Sequence, residues 1–174
     1  RLTELLYLSW ETNATPPNES AAISFETYAD SKRERLAALV ERTYEATQDC
    51  PNLGGKRPLD EVLEGYRSTG VFCPENWLFA RESGRDVGVL LLTEHPAANH
   101  WELLYMGLVP AARGRQLGCA VVQHAQRLSH SAGAVDAENF PAIKMYNNTG
   151  FIVWDRRTVL VRFADGDSEL QESS

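Results

Sequence analysis

The amino-acid sequence predicts a single α/β domain in which strands and amphipathic helices are mixed along the chain. Short apolar runs of strand length alternate with segments whose apolar residues recur at the helical period. A chain of 174 residues, 43% hydrophobic and 24% charged, is long enough for one domain with a full core. The third observation places the chemistry. From Glu102 to Ala120 the sequence reads E-L-L-Y-M-G-L-V-P-A-A-R-G-R-Q-L-G-C-A, a strand that passes through a proline turn into a glycine-punctuated basic loop opening a helix.

Taken in order, Leu2 to Trp10 is a strand-like run, followed by a polar linker, Glu11 to Ser20, containing Pro16-Pro17. Two readings stand for this run: the last strand of a preceding domain, since the chain begins with arginine, or an edge strand added to the same sheet. Ile23 to Tyr28 reads as the next strand. From Ser31 to about Thr47, Leu36, Leu39, Val40, Thr43 and Tyr44 share one helical face, with Ser31 as candidate N-cap. Leu59, Val62, Leu63 and Tyr66 mark a second helix ending near Gly70. Trp77 to Arg81 and Val87 to Thr93 are strands joined by a hairpin turn at Ser83-Gly84-Arg85-Asp86. Trp101 to Val109 is a further strand, and Leu117, Val121, His124 and Leu128 give the helix after the basic loop. Ala134 to Glu138 is a strand, Phe140 to Asn148 a short helix, and Phe151 to Trp154 with Thr158 to Phe163 a terminal antiparallel pair. These boundaries divide the chain into 1–20, strand and linker; 21–164, the main domain; and 165–174, an acidic tail expected to be disordered.

The basic loop has the properties of an anion site. The first backbone N–H groups of a helix have no partner within it, and the helix dipole adds about half a positive charge there. Gly114 and Gly118 allow backbone to approach phosphate oxygens, and Arg113 and Arg115 can fork onto them. Arg113-Gly114-Arg115-Gln116-Leu117-Gly118 resembles the acyl-CoA pyrophosphate signature R/Q-x-x-G-x-G/A of the GNAT superfamily of N-acyltransferases. In the register starting at Arg113, Gln116 stands where the first glycine is expected; a register starting at Arg115 puts Gly118 and Ala120 in the two small positions. The first register keeps the usual spacing from the preceding strand and is preferred. A glutamine there still offers its backbone N–H, so weaker or altered binding is expected rather than none.

A second block, Asn139-Phe140-Pro141-Ala142-Ile143-Lys144-Met145-Tyr146-Asn147-Asn148-Thr149-Gly150-Phe151, is similar to the family's N-x-x-A-x-x-x-Y-x-x-x-G-F segment at every fixed position. The residues also explain themselves: Asn139 is a favoured N-cap, Pro141 fits a first turn, and Gly150 sits where a helix ends left-handed. The resemblance implies a GNAT fold, a mixed, mostly antiparallel sheet of about seven strands flanked by four helices. It also implies acetyl-CoA as co-substrate for acyl transfer to an amine.

An ammonium group must lose a proton before it attacks, because an amine with a pKa near ~10 is protonated at neutral pH. Glu102 stands where several members of the resembling family carry a base glutamate; the bland alternative is an exposed strand-end carboxylate, and Glu138 is a second candidate. The family resemblance assigns the backbone N–H near Leu108 to the developing oxyanion, a type of donor that contributes about 3 kcal/mol. Met106-Gly107 is the expected place for a bulge, and Leu108 with Val109 would bond the pantetheine amides. Tyr146 is the family-matched acid for the departing thiolate, the alternative being a core tyrosine. Leu117, Cys119 and Asn139 complete the residues expected around the cofactor; Cys119 reads better as a small packing residue, and Asn139 equally as a cap.

A net charge of −7 and a pI near 5.1 argue against nonspecific nucleic-acid binding and favour a cationic acceptor. Cys50, Cys73 and Cys119 match neither a disulfide framework nor a zinc site and read as free thiols, and His95, His100, His124 and His130 lack metal-binding spacing. No metal is expected. Without a signal peptide or a ~20-residue apolar stretch, the visible chain reads as cytosolic and not bound to membrane. The N-terminal strand and the final strand pair offer edges for a homodimer. Asn52-Leu53-Gly54-Gly55-Lys56 does not complete a phosphate-loop pattern.

Overall fold

A computed structural model describes residues 3–10, 23–47, 58–128, 131–136 and 139–159. Seven strands form one sheet: β1 (Thr3–Ser9), β2 (Ser24–Thr27), β3 (Trp77–Glu82), β4 (Arg85–His95), β5 (His100–Leu108), β6 (Ser131–Asp136) and β7 (Ile152–Val159). Their order is β2-β3-β4-β5-β6-β1-β7, and every pairing is antiparallel except β5 with β6. Four α-helices accompany it among the described residues: α1 (Arg33–Tyr44), α2 (Leu59–Arg67), α3 (Leu117–Leu128) and α4 (Phe140–Asn148). The mixed, mostly antiparallel seven-stranded sheet and the four helices are those expected from the sequence.

The core follows from β4. Val89, Leu90, Leu91, Leu92 and Thr93 are all completely buried, although successive strand residues point to opposite faces. The sheet must therefore be covered on both sides there, and α1 and α3 both pack on this strand. The β3–β4 hairpin turns through Ser83 (φ 48°) and Gly84 (φ 78°), the two left-handed positions of a type I′ turn, whose twist matches that of the flanking strands.

Four expectations are corrected. Ser31 caps nothing: it lies inside a 3₁₀ turn, Asp30–Lys32, closed by Lys32 N–H donating to the Ala29 carbonyl at 2.8 Å, so α1 begins with a tightened turn instead of a side-chain cap. The same helix stops at Tyr44, before a left-handed Ala46 (φ 50°). No break separates residues 154 and 158 as the terminal pair required: Ile152–Val159 is one continuous strand whose partner is β1, from Thr3↔Val159 to Ser9↔Ile152 with one bulge, and 160–163 lie outside the described residues. Strand β1 is also antiparallel to β6, from Leu5↔Asp136 to Ser9↔Ala132. It is thus an interior strand of this sheet, not an edge, and among the described residues the outer strands are β2 and β7. Leu8 and Trp10 carry its side chains into the core. The linker 11–20, Cys50, the glycine loop 52–56, Glu138 and the tail 165–174 lie outside the described residues.

Candidate active site

The site arises where two parallel strands part. Strands β5 and β6 pair only through Trp101↔Ser131, Glu102↔Ala132 and Leu103↔Gly133. On the other flank of β5, the register with β4 slips between Leu91↔Tyr105 and Leu92↔Leu103, leaving Leu104 as the extra residue of a bulge. The bulge is therefore at Leu104, two residues before the Met106-Gly107 position expected. A bulge of this kind bends its strand, and this one falls at the point where the β5–β6 ladder ends.

Beyond the bulge, Val109 N–H donates to the Val87 carbonyl at 3.0 Å, which makes Val109 and Val87 a hydrogen-bonded pair. Antiparallel strands alternate bonded and non-bonded pairs, so the N–H groups of Leu108 and Met106 turn away from β4, toward the gap. The N–H of Leu108 is thus turned toward the cavity that Leu108 lines. That of Val109 is not: it is used by β4, the Val109 carbonyl accepts from Ala112 N–H at 2.9 Å, and its side chain is buried. The position of Met106 N–H follows from the register alone, and no local sequence pattern marks it.

The gap opens into a cavity of about 600 Å³ between β5, the loop 113–118, α4 and the end of α1, lined among others by Leu108, Gly114, Gln116, Cys119, Asn139 and Tyr146. Gly107 and Gly118 are present for close approach. A Cβ at 107 would meet Thr43 Oγ1 at 2.6 Å, and one at 118 would meet Met145 Sδ at 2.8 Å. Leu117 is buried beneath the loop as part of the core. Cys119 and Cys73 are free thiols, both half-buried.

Arg113 borders the cavity, but both arginine guanidinium groups are engaged by the protein itself. Arg113 donates from Nε to the Leu108 carbonyl at 3.0 Å, and from Nη1 and Nη2 to the carbonyls of Ala46 and Thr43, both at 2.9 Å. Arg115 forks onto Glu82 at 2.9 and 2.6 Å and lines a separate groove beside the β3–β4 hairpin. Protein carbonyls and a carboxylate thus occupy both guanidinium groups where phosphate was expected. Gln116 has φ 61° and Gly114 φ 71°. A left-handed residue is a position that glycine fills most readily, which favours the register starting at Arg113, where position 116 is the first glycine of the signature.

Asn139 is an N-cap: its Oδ1 accepts from Ala142 N–H at 3.3 Å, and it also lines the cavity. At the other end of α4, Gly150 (φ 85°) donates its N–H to the Asn147 carbonyl at 3.1 Å, and Phe151 donates to that of Tyr146 at 3.0 Å. These are the two bonds of a Schellman motif, in which the residue after the glycine packs on the residue five before it. The Tyr146 and Phe151 rings meet edge to face with centroids 5.2 Å apart. The Y-x-x-x-G-F spacing is thereby explained: it ends a helix and fixes the buried Tyr146 ring at the cavity wall.

Glu102 lies beyond the closed end of the gap and is not among the cavity-lining residues. It pairs across the sheet with Thr93, so their side chains share a face. His95 Nε2 donates to Glu102 Oε2 at 2.8 Å, and the Glu102 side chain is 41% exposed. The His95 ring stacks on His100 with centroids 4.7 Å apart. This contact was not anticipated; the signal was the Pro96-Ala-Ala-Asn99 turn, whose left-handed Asn99 (φ 49°) returns the chain at a register that brings residues 95 and 102 together. Among the described residues, no group of three or more His, Cys, Asp or Glu is placed to hold a metal, and no helix is long and apolar enough to cross a membrane.

The parted strands, the left-handed loop and the α4 motif agree with the family comparison. The profile of the acetyltransferase (GNAT) family matches residues 40–151. The chain belongs to that family. A mycothiol acetyltransferase of Streptomyces bingchenggensis (strain BCW-1) is 33% identical over 101 residues, 53% of this chain and 32% of the relative. A GCN5-related N-acetyltransferase structure from Sphaerobacter thermophilus superposes with a TM-score of 0.64 at 23% identity, over 89% of this chain and 50% of that one. A GNAT-family acetyltransferase from Colwellia psychrerythraea gives 0.60 at 13% identity, over 89% and 54%. The two structures share the fold, and this chain spans 32% to 54% of the length of these three proteins.

Proposed function

We propose that this domain moves an acetyl group from acetyl-CoA to an amine acceptor by direct attack, with no covalent enzyme intermediate. The observation that carries the reading is the gap between β5 and β6, which presents the N–H groups of Met106 and Leu108 to a cavity walled by Tyr146 and floored by a helix N-terminus. The residues fit the co-substrate: Leu108 and Met106 would bond the pantetheine amides as a neighbouring strand does. Backbone N–H groups from Gly114 to Cys119 would hold the pyrophosphate. Acetyl-CoA supplies the activated thioester. Leu108 N–H would stabilise the negative charge that develops on the thioester oxygen, Glu102, which lies outside the cavity lining, would take the proton from the acceptor ammonium through a water, and Tyr146 would return a proton to the departing sulfur. A phenol and an alkyl thiol have ordinary pKa values within ~2 units of one another, so that last transfer is nearly balanced. Such a reaction belongs in the cytosol, where acetyl-CoA is at hand.

A second reading, a non-catalytic acyl-CoA-binding module, is favoured by one feature: both arginines of the anion loop are engaged by protein carbonyls or a carboxylate, and the loop carries a left-handed glutamine. The two readings separate experimentally. Acetyl-CoA or CoA, but not ATP, should raise the melting temperature by several degrees at ~100 times the dissociation constant. Thiol release should then be screened against amines, with a mycothiol-type amine as one arm beside amino acids, polyamines and peptide lysines. Binding without thiol release for any acceptor would favour the second reading, and no shift would remove both.

A further inference from the structure

We infer that Arg113, the first residue of the pyrophosphate signature, is a positioning residue that locks the end of β5 to the end of α1 and is not a phosphate ligand. The inference rests on the acetyltransferase reading for its kinetic consequence, but not for its geometry. A guanidinium has five N–H donors in a rigid fork and no acceptor. Here three donors, one on each nitrogen, meet three carbonyls at 2.9 to 3.0 Å.

Each of those carbonyls has a reason to need a donor. Thr43 and Ala46 lie at and beyond the last turn of α1, where helical carbonyls have no partner within the helix; a cation there also complements the helix dipole. The Leu108 carbonyl faces the gap that β6 has left, so no neighbouring strand bonds it. Arg113 therefore supplies the hydrogen bond that the missing strand would have made. It does so at the residue whose N–H is assigned to the oxyanion, and fixing the carbonyl of Leu108 limits how far the end of β5 can turn.

A second set of contacts aligns the same two elements. Tyr105 Oη and Thr43 Oγ1 are 2.7 Å apart, and Thr43 Oγ1 also donates to the Val40 carbonyl at 2.6 Å. Gly107 lies close against Thr43. The last turn of α1 is thus seated on β5 from Tyr105 to Leu108, and Arg113 closes that seat from the loop side.

The test compares two acetyl donors, acetyl-CoA and S-acetylpantetheine, which lacks the pyrophosphate and the nucleotide. If Arg113 positions β5, Arg113→Gln lowers kcat for both donors by the same factor, about 10- to 100-fold, at a temperature well below the variant's Tm. Arg113→Lys, which keeps the charge but cannot reach three carbonyls, falls with it. The Tm without ligand also drops in both variants. A loss confined to acetyl-CoA and restored by lysine, or an unchanged ligand-free Tm, would overturn the inference, as would unaltered kcat with both donors. If the wild type turns over no acceptor, the acetyltransferase reading fails on its own. The inference is then read from binding: CoA and pantetheine should weaken in parallel in Arg113→Gln, and a loss specific to CoA would sink it.

Discussion

Gln116 shows at the scale of one residue how a departure from a family pattern is tolerated. Its φ of 61° costs a residue with a Cβ about 1–2 kcal/mol, a cost that glycine does not bear. The residue nevertheless keeps a backbone N–H, which is what an anion would use. Gln116→Gly should therefore raise the melting temperature by about 2–4 °C per kcal/mol relieved while leaving CoA affinity equal or better, as read by calorimetric titration. A fall in both would mean that the glutamine side chain itself holds the ligand. Tyr146→Phe is the complementary change. Removing a general acid of this kind lowers kcat by about 10²- to 10⁴-fold, with the dissociation constant of acetyl-CoA little altered; equal kcat in the two proteins would leave Tyr146 as a wall of the cavity and no more.

At the scale of elements, the Schellman motif ending α4 couples stability to the site. Gly150 is left-handed at φ 85°, and Phe151 both bonds the Tyr146 carbonyl at 3.0 Å and packs on its ring. Phe151→Ala should lower kcat beyond what its loss of stability explains when measured well below its Tm, because the tyrosine ring loses the surface that orients it. A kcat equal to wild type would show that the α4 backbone alone holds the ring. Helix α4 was legible in the sequence to the residue, since Asn139 and Gly150 punctuate it by local chemistry that needs no tertiary partner. The boundaries of β3, β4 and β5 were legible to within two residues for a similar reason, apolar runs interrupted by turn residues. The bulge at Leu104 was not, because it is a mismatch between two strands and leaves no mark on either. The direction of Arg113 was equally hidden: a guanidinium beside glycines fits phosphate and fits helix-end carbonyls, and only the position of α1 decides between them. The interior place of β1 depends on residues more than 120 positions away in sequence, Ala132 to Asp136 and Ile152 to Val159, and no local pattern encodes that pairing.

For the molecule as a whole, the charged network opposite the β1 end of the sheet sets how stability should respond to acid. Arg35 of α1 pairs with Glu26 of β2 at 2.6 Å and with Asp86 of β4 at 2.6 Å, while Arg81 of β3 and Lys32 also reach Glu26, at 2.9 and 3.1 Å. One helix and three strands are thus joined by ionic contacts at the outer edge formed by β2. Hydrogen bonds from Arg35, then from Lys32, hold the Glu26 carboxyl down to about 2, and a hydrogen bond from Arg35 lowers Asp86 as well. An unfolded glutamate titrates near ~4.3, so the folded state binds fewer protons than the unfolded one between those values. Stability from this network is fully present above pH ~4.3 and is lost as the pH falls toward 2. Glu26→Gln should lower the urea midpoint at pH 7, and the gap from wild type should narrow steadily between pH 4.5 and 2.5, since the wild-type carboxylate is then becoming protonated too. The effect should also shrink in high salt, because these side chains are partly open to solvent. A gap that stays constant across that pH range would mean that Glu26 contributes through packing, and that acid acts on the domain elsewhere.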